Sequence, residues 1–312
     1  MEAFPATVQQ FQDWFQSEKA CMEYIIQLRW PEGFRCPNCQ SQTAWFMKSN
    51  RFHCTQCNRQ TSPIVGTIFQ GTHIPLRLWF QTMWYLVSQK QGVSALGIQK
   101  VLGLGSYRTA WSLLHKLRIG MIRPGRDRLS GIVEVDETLV GGPKPGKRGR
   151  GAAGKVLVLV AVEDKGAKGI GRIRLSIISD ASGETLTSAI SKMVEPGSTV
   201  RTDGWSGYSK VGESGYRHIV VEHTEEEVGK DPTPLVHRIA SLLKRWLLGT
   251  HQGGTQSTHL HYYLDEYTFR FNRRQSRSRG KLFYRLMQQT LEIKPVLCEN
   301  LKAKSHLPNH NI

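Results

Sequence analysis

Two short cysteine pairs constrain this chain more than any other feature. Cys36-Pro-Asn-Cys39 and Cys54-Thr-Gln-Cys57 have fourteen residues between them, while Cys21 and Cys298 stand apart. A C-x-x-C turn points both sulfurs to one side, so two such turns can surround one tetrahedral Zn²⁺ with four thiolates. Two disulfides or a redox pair would use the same cysteines differently. Disulfide frameworks belong mainly to secreted chains, and the opening MEAFPATVQQFQDWF lacks the charged-then-apolar layout of a signal peptide. A redox C-x-x-C needs no second copy at this spacing. The pattern favours a structural zinc ribbon whose coordination sphere is closed by four sulfurs, and which is too small to hold a core without its metal.

The rest of the chain must supply the cores. Its 312 residues leave room for about two domains, and 39% hydrophobic content is globular in character. Lys and Arg number 42 against 25 Asp and Glu, a formal net charge of +17. No apolar run reaches the roughly 18 residues of a membrane span, so membrane and secreted classes are not expected. A basic chain of this kind points to nucleic acid, although a solvated basic surface would carry the same charge.

Apolar residues at helical spacing over 8–28 predict one or two helices before the ribbon, with Pro31-Glu32-Gly33 ending them. A further helix opens at Ile74-Pro75-Leu76. Ser94 then caps a short apolar helix, and a glycine-containing turn leads to a second helix from Tyr107 to Arg118. This pattern predicts a helix-turn-helix with Tyr107, Arg108 and Ser112 early on the exposed face of its second helix. An ordinary packed helix pair would read similarly. Beyond Gly131 the period changes to that of strands: 132–140, the apolar run 155–163, 172–179, 198–202 and a short strand from His218 to Glu222, with helices at 184–194, 234–248 and 257–272. An α/β domain with a mixed sheet is expected.

Acidic residues on different elements could hold a divalent ion against a phosphodiester. Asp136 falls within the first Val/Ile strand and Asp203 at the end of the fourth. A buried strand Asp is costly unless paired or metal-bound, and an edge-strand Asp facing water is the alternative. His237, Ser241 and Lys244 share one helix face, where a histidine could ligate metal and a lysine touch phosphate. A histidine early in a helix can also be a surface or capping residue.

Several longer motifs now join these residues: Arg29-Trp30-Pro31-Glu32-Gly33-Phe34-Arg35-Cys36-Pro37-Asn38-Cys39, Gln60 to Phe69, Val135-Asp136-Glu137-Thr138, Thr202-Asp203-Gly204-Trp205-Ser206-Gly207-Tyr208, Leu243 to His251, and Tyr263 to Arg274. Together, and in this order, they resemble the zinc-ribbon DDE transposases of prokaryotic insertion sequences, the ISXO-like group, over nearly the whole chain. The resemblance implies a ribonuclease-H-like mixed-sheet catalytic domain preceded by a small zinc ribbon and a helix-turn-helix. It implies cleavage of transposon ends and strand transfer into target double-stranded DNA, with catalytic Mg²⁺ or Mn²⁺ beside the structural Zn²⁺ of Cys36, Cys39, Cys54 and Cys57. Asp136 and Asp203 match the first two catalytic acids, and Lys244 the basic residue after the third. Relatives place Glu or Asn seven or two residues before that Lys, where this chain has His237 and Leu242. His237 is therefore the expected third ligand of the divalent ion, with Glu266 in reserve unless it pairs with Arg270.

The resulting division is a helical segment at 1–33, zinc ribbon at 34–70, helix-turn-helix at 71–125, catalytic domain at 126–275 and basic tail at 276–312. Lys144, Lys147, Arg148, Arg150 and Lys155, with Arg270, Arg273, Arg274, Arg277, Arg279, Lys281 and Arg285, are expected to track the DNA backbone, a solvated basic surface being the alternative. The family also implies a homo-oligomer in the synaptic complex, no membrane, and a cytoplasmic, nucleoid-associated location in a prokaryote. A DNA-binding regulator descended from such an enzyme and a nuclease of the same fold are the competing functions.

Overall fold

The structure, a computed structural model, describes residues 4–122, 128–141, 155–221, 231–252 and 256–302. Two units emerge, one comprising the chain up to about residue 123 together with 276–302, the other the stretch between them. The basic positions Lys144, Lys147, Arg148 and Arg150, and Glu222 of the last expected strand, lie outside the described residues. Among the described residues no helix is long and apolar enough to cross a membrane.

The first unit begins with α1 (Val8–Trp14) and α2 (Glu18–Arg29). Two helices form rather than one: the first ends at its C-cap Phe15, and Ser17 caps the second, its hydroxyl accepting from the Ala20 amide. The ribbon follows as three short antiparallel strands, β1 (Ala44–Phe46), β2 (Phe52–Cys54) and β3 (Gln60–Thr61), in that order. Next is α3 (Leu76–Ser88), which has no side-chain cap of its own. Glu18 of α2 reaches across instead and accepts from the Leu76 and Arg77 amides at 2.8 and 2.9 Å. Then α4 (Ala95–Val101) and α5 (Tyr107–Ile119), capped by Ser94 and Ser106, flank a turn in which Gly103 takes φ +62°, a left-handed value glycine adopts freely.

The second unit is built on β4 (Ile132–Val140), β5 (Val156–Asp164) and β6 (Ile170–Ile178), followed by α6 (Gly183–Met193), β7 (Thr199–Thr202), β8 (Arg217–Val220), α7 (Pro234–His251) and α8 (Leu260–Asn272). The sheet order is β6-β5-β4-β7-β8. β4, β5 and β6 pair antiparallel, whereas β7 runs parallel to β4 and β8 parallel to β7. Helices cover both faces, so β5 is apolar at every position of its centre rather than alternating. Its Leu159 and Ala161 join Val133 and Val135 of β4 under α6. Val158, Val160 and Val162 pack on the other side against Val236, Ile239 and Leu243 of α7 and Leu264 of α8. Strand alternation then sends the remaining β4 side chains, Glu134 and Asp136, toward α7.

The chain returns to the first unit through α9 (Arg279–Glu292) and α10 (Cys298–Lys302). Over 279–302 these helices stand where a basic tail at 276–312 was expected, and 303–312 lie outside the described residues. Phe283 is wholly buried and meets Phe11, Phe15, Phe80 and Trp84 in one aromatic cluster with ring centroids 5.4 to 6.1 Å apart. The charges of Arg279, Lys281 and Arg285 are interleaved with a buried stripe of Leu282, Phe283, Leu286 and Met287, and that stripe decides the fold. A second correction concerns α5. Tyr107 is 53% exposed and Arg108 is exposed, but Ser112 is half-buried, its hydroxyl 3.1 Å from the Cys298 sulfur of α10.

Candidate functional site

The four ribbon sulfurs lie within 4.8 Å of one another, with Cys36 to Cys57 and Cys39 to Cys54 both at 3.5 Å. Tetrahedral zinc with bonds of about 2.3 Å separates its sulfurs by roughly 3.8 Å, so the set fits that ion. The two turns are built alike. Gln40 and Asn58 follow the second cysteine of each pair in left-handed conformation, at φ 61° and 56°. Their amides bond back to the Cys36 and Cys54 carbonyls at 2.9 and 3.0 Å. Inside each turn, backbone amides aim at sulfur. Those of Cys39 and Asn38 hold the Cys36 thiol down at about 6, and those of Cys57 and Gln56 lower Cys54. Cys36 and Cys54 are thus prepared as thiolates for a cation, whereas Cys39, despite the Ser41 amide, is pushed up to about 12 by burial and the sulfurs beside it. Phe34 stacks on Phe52 at 4.4 Å behind them, and that pair is most of the apolar support the ribbon has.

The acidic centre is assembled over a longer reach. Ile132 pairs with Thr199 and Glu134 with Arg201 on the parallel strands β4 and β7. Continuing that register by two residues sets Asp136 alongside Asp203, just beyond the end of β7. Asp136 is buried. One of its carboxylate oxygens accepts from the Glu137 amide at 2.7 Å, and the other from the Thr233 hydroxyl at 3.1 Å. Burial pushes the Asp136 carboxyl up to about 6, and the charges of Glu137 and Asp203 add to that against the two hydrogen bonds. Asp203 accepts from the Trp205 amide at 3.1 Å, which shapes the turn that follows it.

Helix α7 brings the third element. The Nε2 of His237 lies 3.2 Å from Asp136 and its Nδ1 2.6 Å from Asp231. Burial pulls the ring's pKa down, but the Asp231 carboxylate, followed by Asp136, reverses this and holds it above the ordinary histidine value. The donor set of Asp136, Asp203 and an imidazole steered by Asp231 through its far nitrogen is one a divalent ion can use. It is not drawn together as the sulfurs are. Among the described residues the four cysteines form the cluster in which three or more such groups converge within 4.8 Å.

Two features of this centre escaped the sequence reading. Thr233 sits at the N-cap of α7 yet makes no side-chain cap bond there, because its hydroxyl is given to Asp136. Glu134, 1% exposed, takes over the capping, accepting from the Val236 amide at 2.8 Å and from that of Leu235. Burial raises its carboxyl above the usual range despite those bonds. On the other face of β4, the buried Tyr208 donates its hydroxyl to Glu137 at 2.7 Å and so ties the turn after Asp203 to the strand of Asp136. The signals were present. Glu134 is two residues before Asp136 on the same strand face, and Asp231-Pro-Thr-Pro is a helix-start sequence with proline at N1.

Lys244 lies two turns along α7 from His237, on the same exposed side as Ser241. Burial lowers its pKa, as does the nearby charge of Lys155, so two cations gather there. Glu266 is wholly buried on α8, the helix packed against the edge strand β6, and Arg270 Nε donates to it at 2.8 Å.

Comparison with known proteins gives two family matches. Residues 128–272 match the ISXO2-like transposase domain, and residues 16–60 match the transposase zinc-ribbon domain. The chain is also 26% identical over 261 residues to a protein of Halobacterium salinarum described as an uncharacterized protein in transposable element ISH50, covering 77% of this chain and 86% of that one.

Proposed function

Because the chain carries a transposase zinc-ribbon domain and an ISXO2-like transposase domain, we propose that it is an active insertion-sequence transposase, cleaving element ends and joining them to target DNA. One observation carries this reading: the parallel register of β4 and β7, continued by two residues, brings Asp136 in mid-strand beside Asp203 just past the end of β7, and His237 reaches Asp136 from the helix that follows. The sheet order β6-β5-β4-β7-β8 supports a ribonuclease-H-like catalytic domain.

In this reading Asp136, Asp203 and His237 would hold Mg²⁺ or Mn²⁺, which would supply Lewis-acid polarisation of the scissile phosphodiester. Asp231 keeps a proton on His237 Nδ1 and so presents Nε2 toward Asp136. Glu134 and Thr233 fix the start of α7 to β4, which sets the distance between His237 and Asp136. Lys244 and Lys155 offer charge to the DNA backbone beside the acids. The ribbon and the α4–α5 pair, taken as a helix-turn-helix, bind the element ends. The reaction joins two ends, so the working form is a homo-oligomer acting on double-stranded DNA in the cytoplasm.

A second reading, a DNA-binding regulator with an idle acidic centre, draws on the ion pair that already links His237 to Asp136. A cleavage and strand-transfer assay on DNA carrying the element's own ends, with Mg²⁺ or Mn²⁺, separates the two. Product is expected from the unaltered chain and, on the order of 10³-fold less, from Asp136→Asn or Asp203→Asn; product within about tenfold of the unaltered chain in either variant overturns the assignment. Loss in His237→Ala with retention in Glu266→Gln identifies the third ligand.

A further inference from the structure

Within the first unit, a cavity of about 340 Å³ opens beside α5, at the small end of the range for ligand pockets, about 300 to 1,000 Å³. Arg108, Ser112 and Lys116 line one wall. Their spacing of four residues places them on one helix face. The turn at 71–74, including Thr72 and His73, and Cys298 of α10 form the rest of the rim, with Leu113 and Trp79 as apolar lining.

The charge of this cavity is one-sided, because none of its lining residues is acidic. Lys116 is half-buried there, and burial pulls its ammonium pKa below the ordinary lysine value. Among the described residues the group that offsets this burial is the Cys298 thiol. Taking a lysine partly out of water without a carboxylate partner is unfavourable, and an anion entering the cavity would remove that penalty. The exposed guanidinium of Arg108 on the same wall adds donors suited to phosphate oxygens, while the hydroxyls of Thr72, Thr109 and Ser112 are held by Ile74, Ser106 and Cys298.

We infer that this cavity binds a phosphate group of a DNA strand running along α5, with Lys116 and Arg108 as its cationic partners. The inference rests on the DNA-acting reading above and extends it to a named contact. Free inorganic phosphate has the same chemistry. DNA is the chosen source because the opening lies on the helix whose exposed N-terminal end carries Tyr107 and Arg108.

The test uses the full zinc-loaded chain and a duplex oligonucleotide, with affinity measured as a function of salt. Lys116→Gln is expected to weaken binding about three- to tenfold and to reduce the slope of log K against log salt by about one, whereas Lys116→Arg keeps the slope. Arg108→Gln should act in the same direction. An equal unfolding midpoint in Lys116→Gln and the unaltered chain shows that the change is not a folding defect. Occupancy is read separately from alkylation of Cys298, mapped by peptide mass: the duplex should slow it and Lys116→Gln should restore it. An unchanged slope in Lys116→Gln overturns the proposal, as does protection of Cys298 by inorganic phosphate but not by duplex. If the unaltered chain binds no duplex at any salt, the DNA-acting reading falls with it; if it binds and only the slope and protection fail, that reading stands and the cavity alone is excluded.

Discussion

The zinc ribbon and the acidic centre gather ligands in opposite ways. Cys36 and Cys57 are 21 positions apart, and each pair is shaped by its own turn, so the sulfurs converge without help from the rest of the unit. Asp136 and Thr233 are 97 positions apart and meet only after a five-stranded sheet and a helix have been built. The ribbon has almost no apolar core beyond Phe34, Phe52 and Trp30, so its metal must do the folding. The sheet is buried on both faces and can hold unfavourable charge in place. A local site is stabilised by its ion, whereas a topological site is stabilised by its fold and can stay open for chemistry.

That contrast can be broken experimentally, and the largest effect is expected at the ribbon. Structural zinc contributes about 10 to 16 kcal/mol of apparent binding free energy to small ribbons and fingers, so chelation or Cys36→Ser should abolish ribbon structure. Zinc content per chain should fall from one to zero, while the thermal transition of the sheet unit stays in place. A sheet unit that melted with zinc removal would show that the two are not independent. Asp136→Asn should do the reverse, leaving zinc content at one per chain while cleavage falls by on the order of 10³-fold, equivalent to about 4 kcal/mol. Residual cleavage within tenfold of the unaltered chain would remove Asp136 from the centre.

A smaller effect is expected where the fold holds the site. Glu134→Ala leaves the first amides of α7 buried without their acceptor and should lower the stability of the sheet unit by about 1 to 3 kcal/mol. Glu134→Gln keeps an acceptor oxygen and should lose less. Equal stability in both variants, measured by denaturant unfolding, would show that the cap is idle.

The smallest effect is one of pH. Asp136 has its folded pKa raised to about 6 from an ordinary carboxylate value, and His237 is raised as well. Both shifts favour the protonated folded state, so without a divalent ion their contribution to stability is present at low pH and is lost as pH rises through the folded pKa values. Binding of Mn²⁺ requires the unprotonated Asp136, so its stabilisation of the sheet unit should fade below about pH 6. A Mn²⁺-induced thermal shift as large at pH 5 as at pH 8 would contradict this.

How much of the molecule was legible in the sequence follows the same division. The ribbon is readable residue by residue because its geometry is encoded in turns of four. The strands are nearly as clear: 132–140 was expected and Ile132–Val140 is found, while the run read as 155–163 forms Val156–Asp164. Asp136 stood out because an acid inside a Val/Ile strand needs a reason, and Asp203 because it closes a strand ahead of a glycine turn. Glu134, Thr233 and Asp231 were harder to see, since their roles depend on which helix start lies over which strand. No local pattern records that. Helix α9 was hidden by its own charge, its apolar stripe diluted by Arg279, Lys281 and Arg285. Ser112 looked exposed because the segment that covers it, Cys298, is 186 positions away.

The return of α9 to the first unit has a consequence for the order in which the chain matures. A ribosome delivers Phe283 only after residue 272, when every strand of the sheet and both helices on the α7 side have already emerged. Until then Phe11, Phe15, Phe80 and Trp84 surround an unfilled place in their cluster. During synthesis, the unit carrying the acids can therefore complete its core before the unit carrying the ribbon can close its own.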